Sequence, residues 1–185
     1  MTASQFAVLA ILDNAEAFEW SIQGFGMLRL YIRKIGRIHV WDSALRYPGV
    51  SMIHNHSWDL ASEIVFGEIT NRKYFEIPGY TPVMKQRLVT GYQHSWVEPP
   101  VETSIAVFSR ETYGPGQKYA QLANEIHLTD AVDGTVTVMA RNDDVRGEAD
   151  VYWPVGTAWG TAQPRPATKE EVRACIDRTL ERLAL

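Results

Sequence analysis

Val50-Ser51-Met52-Ile53-His54-Asn55-His56 is an apolar, β-prone run that ends in two histidines one residue apart. Read as the end of a strand, it puts both imidazoles on one face and Asn55 on the other, because successive side chains alternate. Two histidines held that way can grip one metal ion. A third from a distant strand completes the facial set that a transition metal needs. That third candidate is His127, which closes Tyr119-Ala120-Gln121-Leu122-Ala123-Asn124-Glu125-Ile126-His127.

Working outward, short β-type segments are expected at residues 27–32, 37–42, 50–56, 60–66 and 69–77. Pro78-Gly79-Tyr80-Thr81-Pro82 reads as a loop, followed by strands at 84–92, 104–109, 117–122, 125–129 and 135–141. Asp133-Gly134, between the last two, is a hairpin turn signal. Many short strands punctuated by Gly, Pro and Asn describe an all-β sandwich or barrel.

Helices are expected at the two ends. Thr2 or Ser4 can cap one at about 5–18, while Thr168-Lys169-Glu170-Glu171 is a capping-box pattern opening another at 168–183. Val172, Ile176, Thr179, Leu180 and Leu183 give the second an apolar stripe to pack on the body of the domain. Residues 142–166, rich in Gly, Pro and Trp, show no clear period. The reading is one domain over 1–185, with a barrel core at about 27–141.

Composition narrows the classes. Hydrophobic residues make up 45% of 185, ordinary for a globular domain with a real core. Eighteen Lys and Arg against twenty-two Asp and Glu give a net charge of −4, so no basic field points to nucleic acid. With Cys175 as the one cysteine, an intramolecular disulfide is impossible and a reducing compartment is expected. The apolar run after the N-terminus is short and ends at Asp13, so neither a signal peptide nor a membrane span is expected, and the address is read as cytoplasmic.

In these features the chain resembles the cupin superfamily, whose fold is a double-stranded β-helix, or jelly-roll barrel. That family's first motif is His-x-His, then a glutamate, then a closing glycine. Here His54-Asn55-His56 supplies the pair and Gly67 is the counterpart of the glycine. Its second motif is a glycine and proline approach to another histidine, which Gly114-Pro115-Gly116, Tyr119 and Glu125-Ile126-His127 match in outline. His56-Ser57-Trp58-Asp59 also resembles a subgroup of small bacterial and phage cupins with His-x-His-x-Trp-Asp. The likeness covers residues 50–141, about half the chain.

The motif glutamate is missing: the family's spacing lands on Leu60 or Ala61, and the nearest acids are Asp59 and Glu63. If Leu60, Ser62 and Ile64 face inward, Glu63 points out. With one more residue in the turn, Glu63 faces inward as a fourth ligand. Loss of the glutamate resembles the thiol dioxygenase branch, which binds iron through three histidines. The resemblance therefore implies a divalent transition metal, with Fe(II) favoured over Ni(II), Mn(II) or Zn(II), and a small-molecule substrate. The crosslinked cysteine–tyrosine of that branch is not carried over, because Cys175 lies on the C-terminal helix.

Glu125 shares a face with His127 on a regular strand. It is read as a fourth ligand, an acceptor for an imidazole N–H, a general base, or a solvated turn carboxylate. Tyr119 either aims its hydroxyl into the barrel or packs. His39 and His94 either line a pocket or are structural, and Asp59 is expected to cap the turn after Trp58. Phosphate-loop, nucleophile-elbow and Cys-x-x-Cys patterns are absent from the sequence. Three functions follow in order: a metal-dependent dioxygenase-like enzyme; a non-redox isomerase, epimerase or hydrolase using Glu125 or Glu63 as base; and a ligand-binding or sensor module. A homodimer is expected from sheet-edge burial, with neither nucleic acid nor membrane as partner.

Overall fold

A computed structural model describes residues 1–33, 36–89, 95–96, 98–141, 147–158 and 164–184. Helix α1 (Ala3–Leu12) precedes strands β1 (Trp20–Gln23), β2 (Phe25–Ile32), β3 (Gly36–Arg46), β4 (Ile53–His54), β5 (Leu60–Phe66) and β6 (Ile69–Val89). Then come β7 (Ser95–Trp96), β8 (Val101–Tyr113), β9 (Lys118–Gln121), β10 (Ile126–Ala131), β11 (Val136–Arg141), β12 (Glu148–Pro154) and β13 (Arg165–Pro166), and last α2 (Lys169–Arg182). The strands form two antiparallel sheets in a sandwich-like arrangement. One has the order β13-β1-β2-β3-β11-β5-β9; the other is β10-β4-β12-β6-β7, with β8 paired to β6.

Alternation along the first sheet divides its labour. Ile22, Leu28 and Ile38 point to one side and pack with Leu12 of α1 and Val172 and Cys175 of α2, forming the largest apolar core. The neighbours in register on the same strands, Arg29, Tyr31, Arg37 and His39, turn to the other side and line a cavity between the sheets. Stability is therefore concentrated between sheet and helices. Truncating a fully buried member such as Leu28 to alanine costs about 2–5 kcal/mol.

Both helices carry the expected caps. The Thr2 hydroxyl accepts from the Gln5 amide, and the Thr168 hydroxyl accepts from the Glu171 amide at 3.2 Å, each within a capping box. Such caps contribute about 1 kcal/mol. The first helix stops at Leu12 rather than 18, and a short 3₁₀ turn (Ala15–Ala17) follows.

Several boundaries differ from expectation. The strands extend beyond 27–141: β1 and β13 join the first sheet, and β12 sits inside the second. Strand β12 was hidden because its middle five residues are all buried, which erases the period-two signal. Residues 69–77 and 84–89 belong to one strand rather than two, and residues 90–92 of the expected 84–92 strand lie outside the described residues. Pro78-Gly79 is absorbed in a register shift opposite β8, between Glu76 and Thr81, where a missing N–H does no harm. Asp133-Gly134 makes a tight turn, but β10 and β11 lie in different sheets, so it is a crossing between layers and not a hairpin.

The β5–β6 crossing meets that turn. Gly67 has φ +75°, and a Cβ there would lie 2.4 Å from the Thr135 Oγ1, so only glycine fits. Thr135 Oγ1 accepts from the Glu68 amide and donates to the Glu68 carbonyl, latching the two crossings together.

Candidate metal centre

His54 lies at the middle of the second sheet. Strand β4 fills the space between β10 and β12, so His54 is in register with His127 on one side and Val151 on the other. The expected strand over 50–56 is reduced to Ile53–His54, yet the alternation survives beyond it. Asn55 turns away, its amide donating to the Asp150 carbonyl and its Oδ1 accepting from the Asp150 amide at 2.7 Å. His56 thereby comes back to the face of His54.

The segment before β10 is tied to the same stretch. The Asn124 amide donates to the His56 carbonyl at 2.8 Å, with Asn124 itself at φ +66°. The Asp59 carboxylate accepts from the Ala123 amide at 2.7 Å. Beyond the turn after Trp58, where it was expected to cap, Asp59 serves a turn 64 residues away.

These ties bring the three histidines together. Ring centroids are 4.5 Å apart for His54–His127, 4.7 Å for His54–His56 and 5.0 Å for His56–His127. One ring nitrogen from each lies within 4.8 Å of the others, a group able to hold a metal ion. His54 Nδ1 faces the Met52 carbonyl at 3.0 Å, and His127 Nδ1 faces the Glu125 carbonyl at 3.1 Å. A carbonyl only accepts, so in both rings the proton sits on Nδ1 and the Nε2 lone pair is free for a cation. Phe25 stacks on His54 at 5.2 Å and Trp58 on His56 at 4.8 Å, fixing ring orientation.

Burial holds all three imidazoles below their ordinary pKa, His56 and His127 well below. Neighbouring imidazoles push His56 and His127 further down, and the Arg37 charge adds to the effect on His56. Neutral rings at neutral pH are what ligation requires.

The two candidate carboxylates are turned elsewhere. Glu63 points away from the cavity, with Leu60 and Ser62 buried on the opposite side of β5, and pairs with Lys118 at 3.3 Å. It is not a fourth ligand: the register puts it on the outward face. Glu125 binds Lys73 at 3.1 Å and the Leu122 amide at 3.0 Å through its carboxylate. Its carboxylate is therefore engaged by Lys73 and the Leu122 amide, and what faces His127 is its backbone carbonyl. Tyr119 does line the cavity, and burial raises its hydroxyl above the ordinary value against the opposing pull of Ser62 and Asn71.

His39 lines the cavity, the first of its two readings, and is buried; burial and the charges of Arg37 and Arg29 hold it well below the usual histidine range. His94 lies outside the described residues. Cys175, fully buried in the helix–sheet core, has its thiol pushed up to about 12 and takes no part in the site. The cavity has a volume of about 1390 Å³ and is walled by both sheets. Sequence reading did not gather three of its arginines, Arg29, Arg37 and Arg141, into one group; Arg165, also on the lining, is paired with Glu171. The alternation of Arg29, Tyr31, Arg37 and His39 with the apolar core positions was the available signal.

No family model matches this chain, and no curated protein matches it. Among the described residues no helix is long and apolar enough to cross a membrane.

Proposed function

We propose that this is a cupin-type jelly-roll metalloenzyme that binds one divalent transition metal, Fe(II) by preference, and carries out dioxygenase-like chemistry on a small molecule in the cavity. The observation that carries the reading is the buried group of His54, His56 and His127, with nitrogen donors only and a large cavity on their open side. Three neutral ligands leave a dication's charge uncompensated and coordination positions free, which suits a redox-active or Lewis-acidic ion. When bound, such an ion would polarise substrate and, as iron, support one-electron chemistry with dioxygen.

The chain's own residues set the conditions for that chemistry. The Met52 and Glu125 carbonyls fix two imidazole tautomers. Trp58 and Phe25 hold the rings and keep bulk water from them. Tyr119, kept protonated by burial, offers a hydrogen-bond donor to a bound molecule. A non-redox isomerase would need a base close to the substrate carbon, and the two carboxylates considered, Glu63 and Glu125, are engaged by Lys118 and Lys73 outside the cavity. A homodimer belongs to the same proposal, since β8 pairs only with β6 among the described residues and keeps an open edge.

The test is metal analysis of protein prepared without chelator or nickel affinity resin, followed by Fe(II) titration and oxygen uptake with thiols, diketones and aromatic acids. One equivalent of metal per chain is expected, with uptake that His54→Ala abolishes. Absence of uptake with every metal tried would overturn the enzymatic reading.

A further inference from the structure

The inner face of the first sheet carries an excess of positive charge that no acidic partner balances among the described residues. Arg29, Arg37 and Arg141 all line the cavity, and among the described residues none forms an ion pair with a carboxylate. The acidic residues on the lining, Glu16 and Glu19, lie on the segment between α1 and β1, and Glu16 already pairs with Arg173. Arg29 is held by neutral groups, the Ser21 hydroxyl and the Gln23 side-chain oxygen. Burial, together with the charges of Arg29 and Arg141, pulls Arg37 down to about 10. Three arginines gathered without counter-charge are costly to a fold and need a compensating ligand.

Unsatisfied donors converge on the same place. Arg37 Nε, Trp41 Nε1, Trp58 Nε1 and Gln121 Nε2 are buried with no hydrogen-bond partner among the described residues, and so is the His39 Nε2. All five residues line the cavity. Buried polar atoms are ordinarily paired, so a cluster of orphans marks where an acceptor-rich molecule binds. Trp58 links this cluster to the histidines: its ring stacks on His56 at 4.8 Å, with the Arg141 and Arg37 guanidinium carbons at 5.3 and 5.9 Å from its centroid. Arg37 also lies 4.4 Å from the Tyr31 ring centroid.

We infer that the cavity takes a small organic acid, its carboxylate held by Arg37 and Arg141, a flat body against the aromatic lining, and its far end presented to His54, His56 and His127. This names the substrate class of the site proposed above and rests on that reading only for the placement of the far end. Guanidinium groups match a planar oxyanion with paired N–H donors. The aromatic wall selects a planar body over a compact inorganic ion.

Calorimetric titration of chelator-treated protein with benzoate, benzamide and inorganic phosphate tests it. Benzoate should bind at least about tenfold more tightly than uncharged benzamide, and more tightly than phosphate, which has charge without a ring. Arg37→Gln and Arg141→Gln should each weaken benzoate about tenfold or more, while Arg110→Gln, on the exposed face of β8, should not change it. Because the titrated protein is free of metal, a failure of metal binding at the histidines would not touch this result. Benzamide binding as tightly as benzoate, phosphate outcompeting benzoate, or arginine variants indistinguishable from wild type would overturn the assignment.

Discussion

His127 sits directly across from His54 on adjacent antiparallel strands, their ring centroids 4.5 Å apart. Residues opposed in this way have their Cβ atoms about 4.5–5.5 Å apart by backbone geometry alone. Two of the three candidate ligands are thus pre-positioned by the hydrogen-bond ladder, and only His56 depends on a segment outside the strands. His54→Ala or His127→Ala should lower metal affinity by more than the roughly 10–100-fold typical of losing an outer-shell partner. Titration of the chelated variants with Fe(II) or Zn(II) measures this. Wild-type affinity in either variant would rule the group out as a metal site.

Asp59 should matter to the site without touching it. Its carboxylate anchors the Ala123 amide, and the turn it secures delivers Asn124 to the His56 carbonyl. Asp59→Ala is expected to cost about 1–3 kcal/mol in stability by leaving a part-buried amide short of its partner. It should also weaken metal binding about tenfold. Denaturant unfolding and metal titration check the two effects separately, and unchanged metal affinity would detach Asp59 from the site.

Arg37 should be dispensable for folding. A cation whose pKa is depressed by burial is disfavoured in the folded state at every pH below its folded value, so neutral pH carries that cost in full. Arg37→Met removes the charge and keeps the stem, and its melting temperature should equal or exceed wild type. A fall of several degrees would mean that stacking on Tyr31 outweighs the desolvation.

Glu171 gives the clearest acid dependence. Its carboxylate is held down to about 2 by Arg165 and the Thr168 amide, which donates at 2.9 Å. A depressed carboxylate stabilises above its unfolded pKa, near 4.3, and the contribution is lost as pH falls from there towards 2. The group is partly exposed, so solvent screening limits the pair and the cap sets the scale at about 1 kcal/mol. Melting curves for wild type and Glu171→Gln should differ at pH 6 and converge near pH 2. A constant gap across that range would contradict the linkage.

Local chemistry made much of this structure readable in advance. The capping box at Thr168, a cap at Thr2 or Ser4, the strand at 60–66 and the shared face of His54 and His56 follow from side-chain type and spacing. What escaped was set by tertiary context. Strand β12 is buried on both sides and shows no alternation. Asp133-Gly134 signals a turn but not which sheet the chain enters next. The orientation of Glu63 depended on register, which the Gly67–Thr135 contact and the β5–β9 pairing decide. The arginine group was invisible because its members come from β2, β3 and β11, and only the sheet order makes neighbours of them.

The helices cover the outer face of the first sheet, so Arg29, Tyr31, Arg37 and His39 on its inner face are relieved of holding the protein together. A mutation at Tyr31, Arg37 or His39 can change what the interior chamber accepts while Leu28, Leu30 and Ile38 keep the scaffold standing. The same strands can thus be retailored to new small molecules one inward residue at a time, without the chain passing through an unfolded ancestor.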